Sequence, residues 1–257
     1  MYTVAICSQT GGVGKTTLTN HLTLLAHREG LTVATLDSDP VGEGAFGWYM
    51  DRRKKVAREL VAEGKFATVK EAMQHLAEVG EPRPLFLKVA TVETLKSAFD
   101  VAKEESYDWL FIDTAAGINE LTPDAVALAD LVLIPCIGSR RKMLSAKPTV
   151  DLVKRLAKPA FFVVNLGSAS KSINDDCALS LASRYGLPAT ATHITDRKPI
   201  RYLEDRAETL NEVERPNATS RNGAAEFVAL WEWLKTQVGA NDEGETEHEQ
   251  AQRVAIR

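Results

Sequence analysis

Cysteine is scarce in this chain: Cys7, Cys136 and Cys177 are the only three in 257 residues, an odd number, widely separated. That excludes a disulfide framework, and no two of them have the spacing of a zinc or iron–sulfur ligand set. Long apolar runs are missing too. No stretch reaches the roughly 18 apolar residues of a spanning helix, so no membrane segment is expected. The first strand pattern begins almost at Met1, which leaves no room for a signal peptide. Charge of one sign is not dominant either. A net charge of −4 argues against a bulk-basic nucleic-acid binder and leaves local patches open. The remainder is ordinary: 44% apolar and 26% charged residues, with length for one large α/β core. Buried free thiols in a reducing cytoplasm fit that picture.

What is present is concentrated in one stretch. Ser8-Gln-Thr-Gly-Gly-Val-Gly-Lys-Thr-Thr17 follows the apolar run Val4–Cys7 and precedes a helical pattern from Leu18 to Arg28. Strand, glycine loop and helix form the context of a phosphate-binding loop. Gly11, Gly12, Val13 and Gly14 offer backbone N–H groups to phosphate oxygens, and the helix N-terminus adds positive partial charge. Lys15 is expected on the β- and γ-phosphates, the Thr16 hydroxyl on Mg²⁺, and the Thr17 hydroxyl on the α-phosphate. A plain glycine turn does not need Gly-Lys-Thr-Thr in that order.

The next strand pattern, Thr32–Leu36, runs into Asp37-Ser-Asp-Pro40. Residues two apart on an extended chain point the same way, so Asp37 and Asp39 are both candidates for one site. A helix-capping turn explains the same residues equally well. Asp108-Trp-Leu-Phe-Ile-Asp-Thr114 carries a third strand into Asp113, the form of an aspartate that holds hydrated Mg²⁺.

Taken together, Gly11-Gly-Val-Gly-Lys-Thr-Thr17 and Asp37-Ser-Asp-Pro40 resemble the ParA/MinD family of dimeric, deviant P-loop ATPases, most of all its short ParA-type members. The resemblance implies a doubly wound α/β fold with a mostly parallel sheet and helices on both faces. It places Asp37 in the switch that senses the γ-phosphate and Asp39 beside the attacking water. It gives Asn165, after the strand pattern Phe161–Val164, the adenine edge; a strand-end turn residue is the alternative. Thr195-Asp-Arg197 resembles the segment that closes over the base. Two departures stand out: Thr10 occupies the place of the family's signature lysine, as in the carboxysome-positioning branch, and Ala115-Ala-Gly117 replaces a Pro-Pro-Gly-like switch. Lys142 and Lys147 are the nearest candidates to substitute for that lysine, and Lys147 is favoured for its place inside a helix.

The resemblance covers residues 1–238, taken as one ATPase domain. Residues 44–83 read as an elaboration of two helices, with the basic run at 52–55 more often a solvated face than a binding site. Gly80–Pro84 reads as a loop, Ala189–His193 as a last short strand, and 239–257 as an acidic, disordered tail. Implied partners are a second copy of the chain in an ATP-dependent homodimer, non-specific DNA, and an adaptor of the ParB kind; ATP and Mg²⁺ are the implied cofactors. Basic clusters at 140–158 and at Arg197, Lys198, Arg201 and Arg206 are the candidate DNA surfaces. The implied location is the cytoplasm, on the nucleoid when ATP is bound. The alternatives are the membrane-associated MinD-like branch, for which the tail offers no basic amphipathic face, and a metabolic enzyme of the dethiobiotin synthetase type.

Overall fold

The computed structural model describes residues 1–254 apart from 41, 43 and 79–83, without the side chains of 77, 78 and 238–254. Its centre is a six-stranded sheet in the order β3-β2-β4-β1-β5-β6, parallel throughout. The strands are β1 (Tyr2–Ile6), β2 (Val33–Ser38), β3 (Leu85–Lys88), β4 (Trp109–Thr114), β5 (Leu131–Cys136) and β6 (Ala160–Val164). Strands β2, β4 and β5 are buried at every position, which is why β4 and β5 read as near-continuous apolar runs rather than alternating ones.

Alternation along each strand builds two cores. Val4, Ile6, Phe111 and Leu133 meet α1 (Lys15–Arg28) and α10 (Ala218–Val254) through Leu18, Leu22, Phe227 and Trp231. Ala5, Leu36, Ile112 and Ile134 form the other core, with Leu95, Val126, Val150 and Leu181. Those four come from α4 (Val92–Glu104), α5 (Leu121–Leu128), α7 (Lys147–Arg155) and α8 (Lys171–Tyr185). The elaboration is two helices, α2 (Ala45–Ala62) and α3 (Val69–Glu78).

Register decides what reaches the functional edge. Asp113 pairs with Ile6 on one side and Asp37 on the other. Both carboxylates therefore end neighbouring strands on the α1 face. The loop after β1 opens between β4 and β5, at the carboxyl ends of the strands, where open α/β sheets bind ligands.

Three expectations change. The sequence places Lys147 inside a helix; it opens that helix, α7, and a short separate helix, α6 (Arg140–Leu144), precedes it, capped by Ser139, whose hydroxyl accepts from the Lys142 N–H at 3.4 Å. The strand anticipated at 189–193 reduces to single bridges, Phe162 with Ala189 and Gly167 with Thr195. The backbone of α10 stays helical to Val254, where an unstructured tail was expected from 239; Glu, Gln and Ala there are good helix formers. The side chains of that tail, and the loop at 80–83, lie outside the described residues. Among the described residues no helix is long and apolar enough to cross a membrane. The last helical segments are α9 (Lys198–Glu204) and a 3-10 turn at Leu210–Glu212.

Candidate active site

The glycine loop closes on Gly14, which caps α1 at φ 79 without a side-chain bond. A β-carbon there would lie 2.4 Å from Asn165 Nδ2, so the close approach of the β6 end to the loop requires glycine. Asn165 Nδ2 donates to the Val13 carbonyl at 2.6 Å. Its Oδ1 is buried and, among the described residues, has no partner. An acceptor left open there suits the amino group of a base.

Lys15 opens α1 and is itself buried. Burial holds its amine below the usual lysine range, opposed by the negative field of Asp113. Thr16 Oγ1 donates to Asp113 Oδ2 at 2.7 Å, while Asp113 Oδ1 is buried without a partner among the described residues. Burial pushes the Asp113 carboxyl up to about 7. A hydroxyl and a half-satisfied carboxylate side by side are hard oxygen donors, and they fit a hydrated Mg²⁺. When bound, that ion would supply the positive charge that Asp113 lacks.

Asp37 and Asp39 separate in role. Asp37 is fully buried, and burial raises its carboxyl above the ordinary range. Its Oδ1 accepts from the Asp39 N–H and its Oδ2 from the Phe46 N–H, both at 3.0 Å. A β-carbon on Gly44 would sit 2.8 Å from Asp37 Oδ2, so glycine lets the chain turn tightly around this carboxylate into α2. Asp37 thus organises the turn, which is the capping alternative open in the sequence. Asp39 lines the cavity and accepts from the Gly42 N–H at 3.0 Å.

That cavity has a volume of about 390 Å³. Its lining draws Gly11, Gly12, Gly14, Lys15, Thr16, Thr17 and Asp39 from the glycine loop, the start of α1 and the switch, Leu166 from just past the end of β6, and Ile200, Arg201 and Glu204 from α9. Thr17 Oγ1, expected on a phosphate from the sequence, donates here to Glu204 Oε1 at 2.9 Å. Thr195 and Arg197 do not line the cavity: Thr195 N and Oγ1 and Arg197 Nη2 all converge on the Glu226 carboxylate of α10. The cover over the site comes from α9, a few residues later.

A second support was not legible in the sequence. The segment 142–149 clamps the front of the glycine loop at three successive residues. The Gln9 N–H donates to Thr149 Oγ1 at 2.9 Å, Thr10 Oγ1 bonds Ser145 Oγ at 2.5 Å, and Lys142 Nζ donates to the Gly11 carbonyl at 3.2 Å. Lys147, favoured from the sequence, is exposed and paired with Asp151 at 2.5 Å along its own helix. Helix α7 begins at Lys147, and among the described residues the Lys147 amine is paired within that helix. Ser145, Thr149 and Glu204 carry no local signal; only the folded contacts single them out.

The basic clusters also divide. Arg197 is tied to Glu226 in a half-buried pair, and Arg52 and Lys55 of α2 pair with Glu212 and Glu208. Arg140, Arg141, Arg155 and Lys198 stay exposed. The run at 52–55 is therefore a brace between α2 and the segment after α9.

Residues 4–253 match the model of the CobQ/CobB/MinD/ParA nucleotide-binding domain. The chromosome-partitioning ATPase Soj of Thermus thermophilus is 29% identical over 137 residues, 51% of this chain and 53% of that protein. Among solved structures, the MinC:MinD cell division complex of Aquifex aeolicus superposes with a TM-score of 0.66 at 19% identity, over 92% of this chain and 96% of that one. A Cyanothece McdA variant in complex with ATP gives 0.62 at 17% identity, over 91% and 96%. At these identities the structural likeness speaks for the fold alone.

Proposed function

The chain belongs to the CobQ/CobB/MinD/ParA family of nucleotide-binding domains, and from that premise we propose that it is a ParA-type positioning ATPase. One observation carries the reading: the glycine loop, Lys15, Thr16, Asp39 and Asp113 converge on one sheet edge, with open acceptors on Asp113 and Asn165. Gly11 to Gly14 and Lys15 hold the polyphosphate of ATP, Thr16 and Asp113 hold hydrated Mg²⁺, and Asn165 Oδ1 accepts from the adenine amino group. Asp39 orients the attacking water, and Asp37 keeps the switch turn in place. Such a site works by positioning and charge neutralisation.

In this reading ATP is sandwiched in a homodimer, the dimer holds DNA without regard to sequence, and an adaptor that stimulates hydrolysis releases it. The exposed Arg140, Arg141, Arg155 and Lys198 support a DNA surface on an otherwise acidic chain. The test is retardation of random-sequence DNA at low salt with ATP, with ADP and without nucleotide, beside sedimentation with anionic vesicles. Retardation only with ATP supports the proposal. ATP-dependent sedimentation with vesicles and no DNA binding replaces it with the MinD-like alternative, and turnover stimulated only by a small metabolite replaces it with a metabolic enzyme.

A further inference from the structure

The bond from Thr17 Oγ1 to Glu204 Oε1 joins two ends of the chain across the mouth of the cavity. Glu204 is exposed and ends α9, while Thr17 is buried in the first turn of α1. The cavity's lining joins charged and polar groups, Lys15, Thr16, Asp39 and Arg201, to the apolar Leu166 and the buried Ile200. Leu166 holds φ 51, an uncommon conformation for a leucine that is kept where the chain must turn tightly beside a site. Glu204 lines the same cavity, and its bond with Thr17 holds it beside the glycine loop.

A nucleotide has anionic phosphates at one end, a flat apolar base at the other, and a sugar with vicinal hydroxyls between, so the group next to the α-phosphate is the sugar. A carboxylate beside phosphate oxygens is repelled by like charge, and it only accepts hydrogen bonds. Ribose hydroxyls are donors that need acceptors, and an acidic side chain meets that need in dinucleotide-binding folds. We infer that Glu204 is the residue that distinguishes ribose from deoxyribose: its carboxylate leaves the Thr17 hydroxyl on binding and accepts from the sugar hydroxyls. The inference rests on the nucleotide reading above. Thr17 Oγ1 is then released toward the α-phosphate, so one exchange of partners closes α9 over the sugar and frees a donor for the phosphate.

Glu204 also couples outward. Four and eight residues on, Glu208 and Glu212 pair with Lys55 and Arg52 of α2. The N-terminal turn of α2 donates the Phe46 N–H to Asp37. The segment after α9 is thus tied by two ion pairs to the helix whose first turn bonds Asp37.

The test is the dissociation constant of Mg-ATP and of Mg-2′-deoxyATP by titration calorimetry, on the full chain and on Glu204→Ala and Glu204→Gln. Thermal unfolding of each variant checks that it folds. The wild type should bind ATP about tenfold more tightly than 2′-deoxyATP, because a built hydrogen-bond acceptor left unpaired disfavours the analogue lacking the donor. Glu204→Ala should lose that ratio by weakening ATP alone, and Glu204→Gln should keep part of it. A ratio unchanged in Glu204→Ala, equal tightening of both nucleotides, or a wild type indifferent to the 2′-hydroxyl overturns the inference and leaves the ATP site standing. A wild type that binds neither nucleotide overturns the ATP reading itself.

Discussion

Lys142 Nζ donates to the carbonyl of Gly11 at 3.2 Å, so a cation from α6 rests on the glycine loop of a chain that has Thr10 in place of the family's lysine. Thr10 is not idle: its hydroxyl bonds Ser145, three residues past Lys142, and Ser145 in turn donates to the Lys142 carbonyl at 2.7 Å. A neutral threonine and a lysine from α6 thus both bear on the glycine loop. Charge placed where phosphate charge develops typically accounts for about 100- to 1,000-fold in rate. Lys142→Ala is therefore expected to lower ATP turnover by about two orders of magnitude and to weaken ATP-dependent dimerisation. Lys147→Ala should change neither, since an exposed i,i+4 pair contributes at most about 0.5 kcal/mol. Turnover and sedimentation velocity on both variants check this; a Lys142→Ala protein that behaves like its parent removes Lys142 from the site.

The two aspartates of the switch should separate in experiment as they do in space. Asp39→Ala is expected to keep ATP binding and to lose hydrolysis by about 100-fold, leaving a nucleotide-bound dimer. Lys15→Ala should lose binding itself. Asp37→Ala should instead lower stability by about 1–3 kcal/mol per amide left without its acceptor, since the N–H groups of Asp39 and Phe46 both depend on it. Nucleotide binding, phosphate release and urea unfolding on the three variants tell these apart. An Asp37→Ala protein with unchanged stability and abolished turnover would make Asp37 a participant in the chemistry.

Much of this site is legible in the sequence because the chemistry sits where buried parallel strands end. Asp113 follows an unbroken apolar run and Asp37 one broken only by Thr35, and register carries both to the level of Ile6. Lys142 is not legible in the same way. Which of several lysines reaches the loop depends on a turn capped by Ser139 and on the break between α6 and α7, details finer than helical periodicity resolves. Glu204 lies 187 residues from Thr17, and no spacing rule connects them. Arg197 looked like a surface cation because composition does not reveal that Glu226, a helix away, faces it.

His21 gives a pH dependence with a definite sign. The ring is wholly buried and stacked on Phe227 at 3.8 Å between centroids. Its Nδ1–H donates to the Thr17 carbonyl at 2.8 Å, and Nε2 accepts from the Leu210 N–H at 3.3 Å, a pattern that only the neutral ring satisfies. Burial lowers its pKa from 6.5 to about 4, with Glu212 opposing. The unfolded chain thus binds a proton that the folded chain refuses between those values. Stability is full above pH 6.5 and falls as pH drops through 4, by about 3 kcal/mol for a shift of this size. Urea unfolding of the wild type and His21→Asn at pH 7, 5.5 and 4 isolates the term, because carboxylates common to both cancel. The gap between the two proteins should narrow steadily with acid; a constant gap contradicts the assignment.

Arg141 and Arg197 make a paired test of the DNA surface, since the sequence places both in basic clusters and the fold separates them. Arg141 is exposed on α6, next to Lys142, which bonds the glycine loop. Arg197 is largely covered, its Nη2 held by a Glu226 carboxylate that also takes the amide and hydroxyl of Thr195. Phosphate contacts made by exposed cations add to affinity by releasing counterions, and each lost contact lowers the slope of log affinity against log salt by about 0.9. Arg141→Glu should therefore weaken ATP-dependent DNA binding by about tenfold or more at low salt and flatten its salt dependence. Arg197→Ala should leave the salt slope unaltered and lower the unfolding temperature instead, because it strands a half-buried carboxylate without its cation. Binding isotherms over a series of salt concentrations, beside thermal unfolding, read both effects. If Arg197→Ala flattens the slope while Arg141→Glu does not, the DNA surface lies on the α9 side of the molecule, and the exposed cations of α6 serve the nucleotide alone.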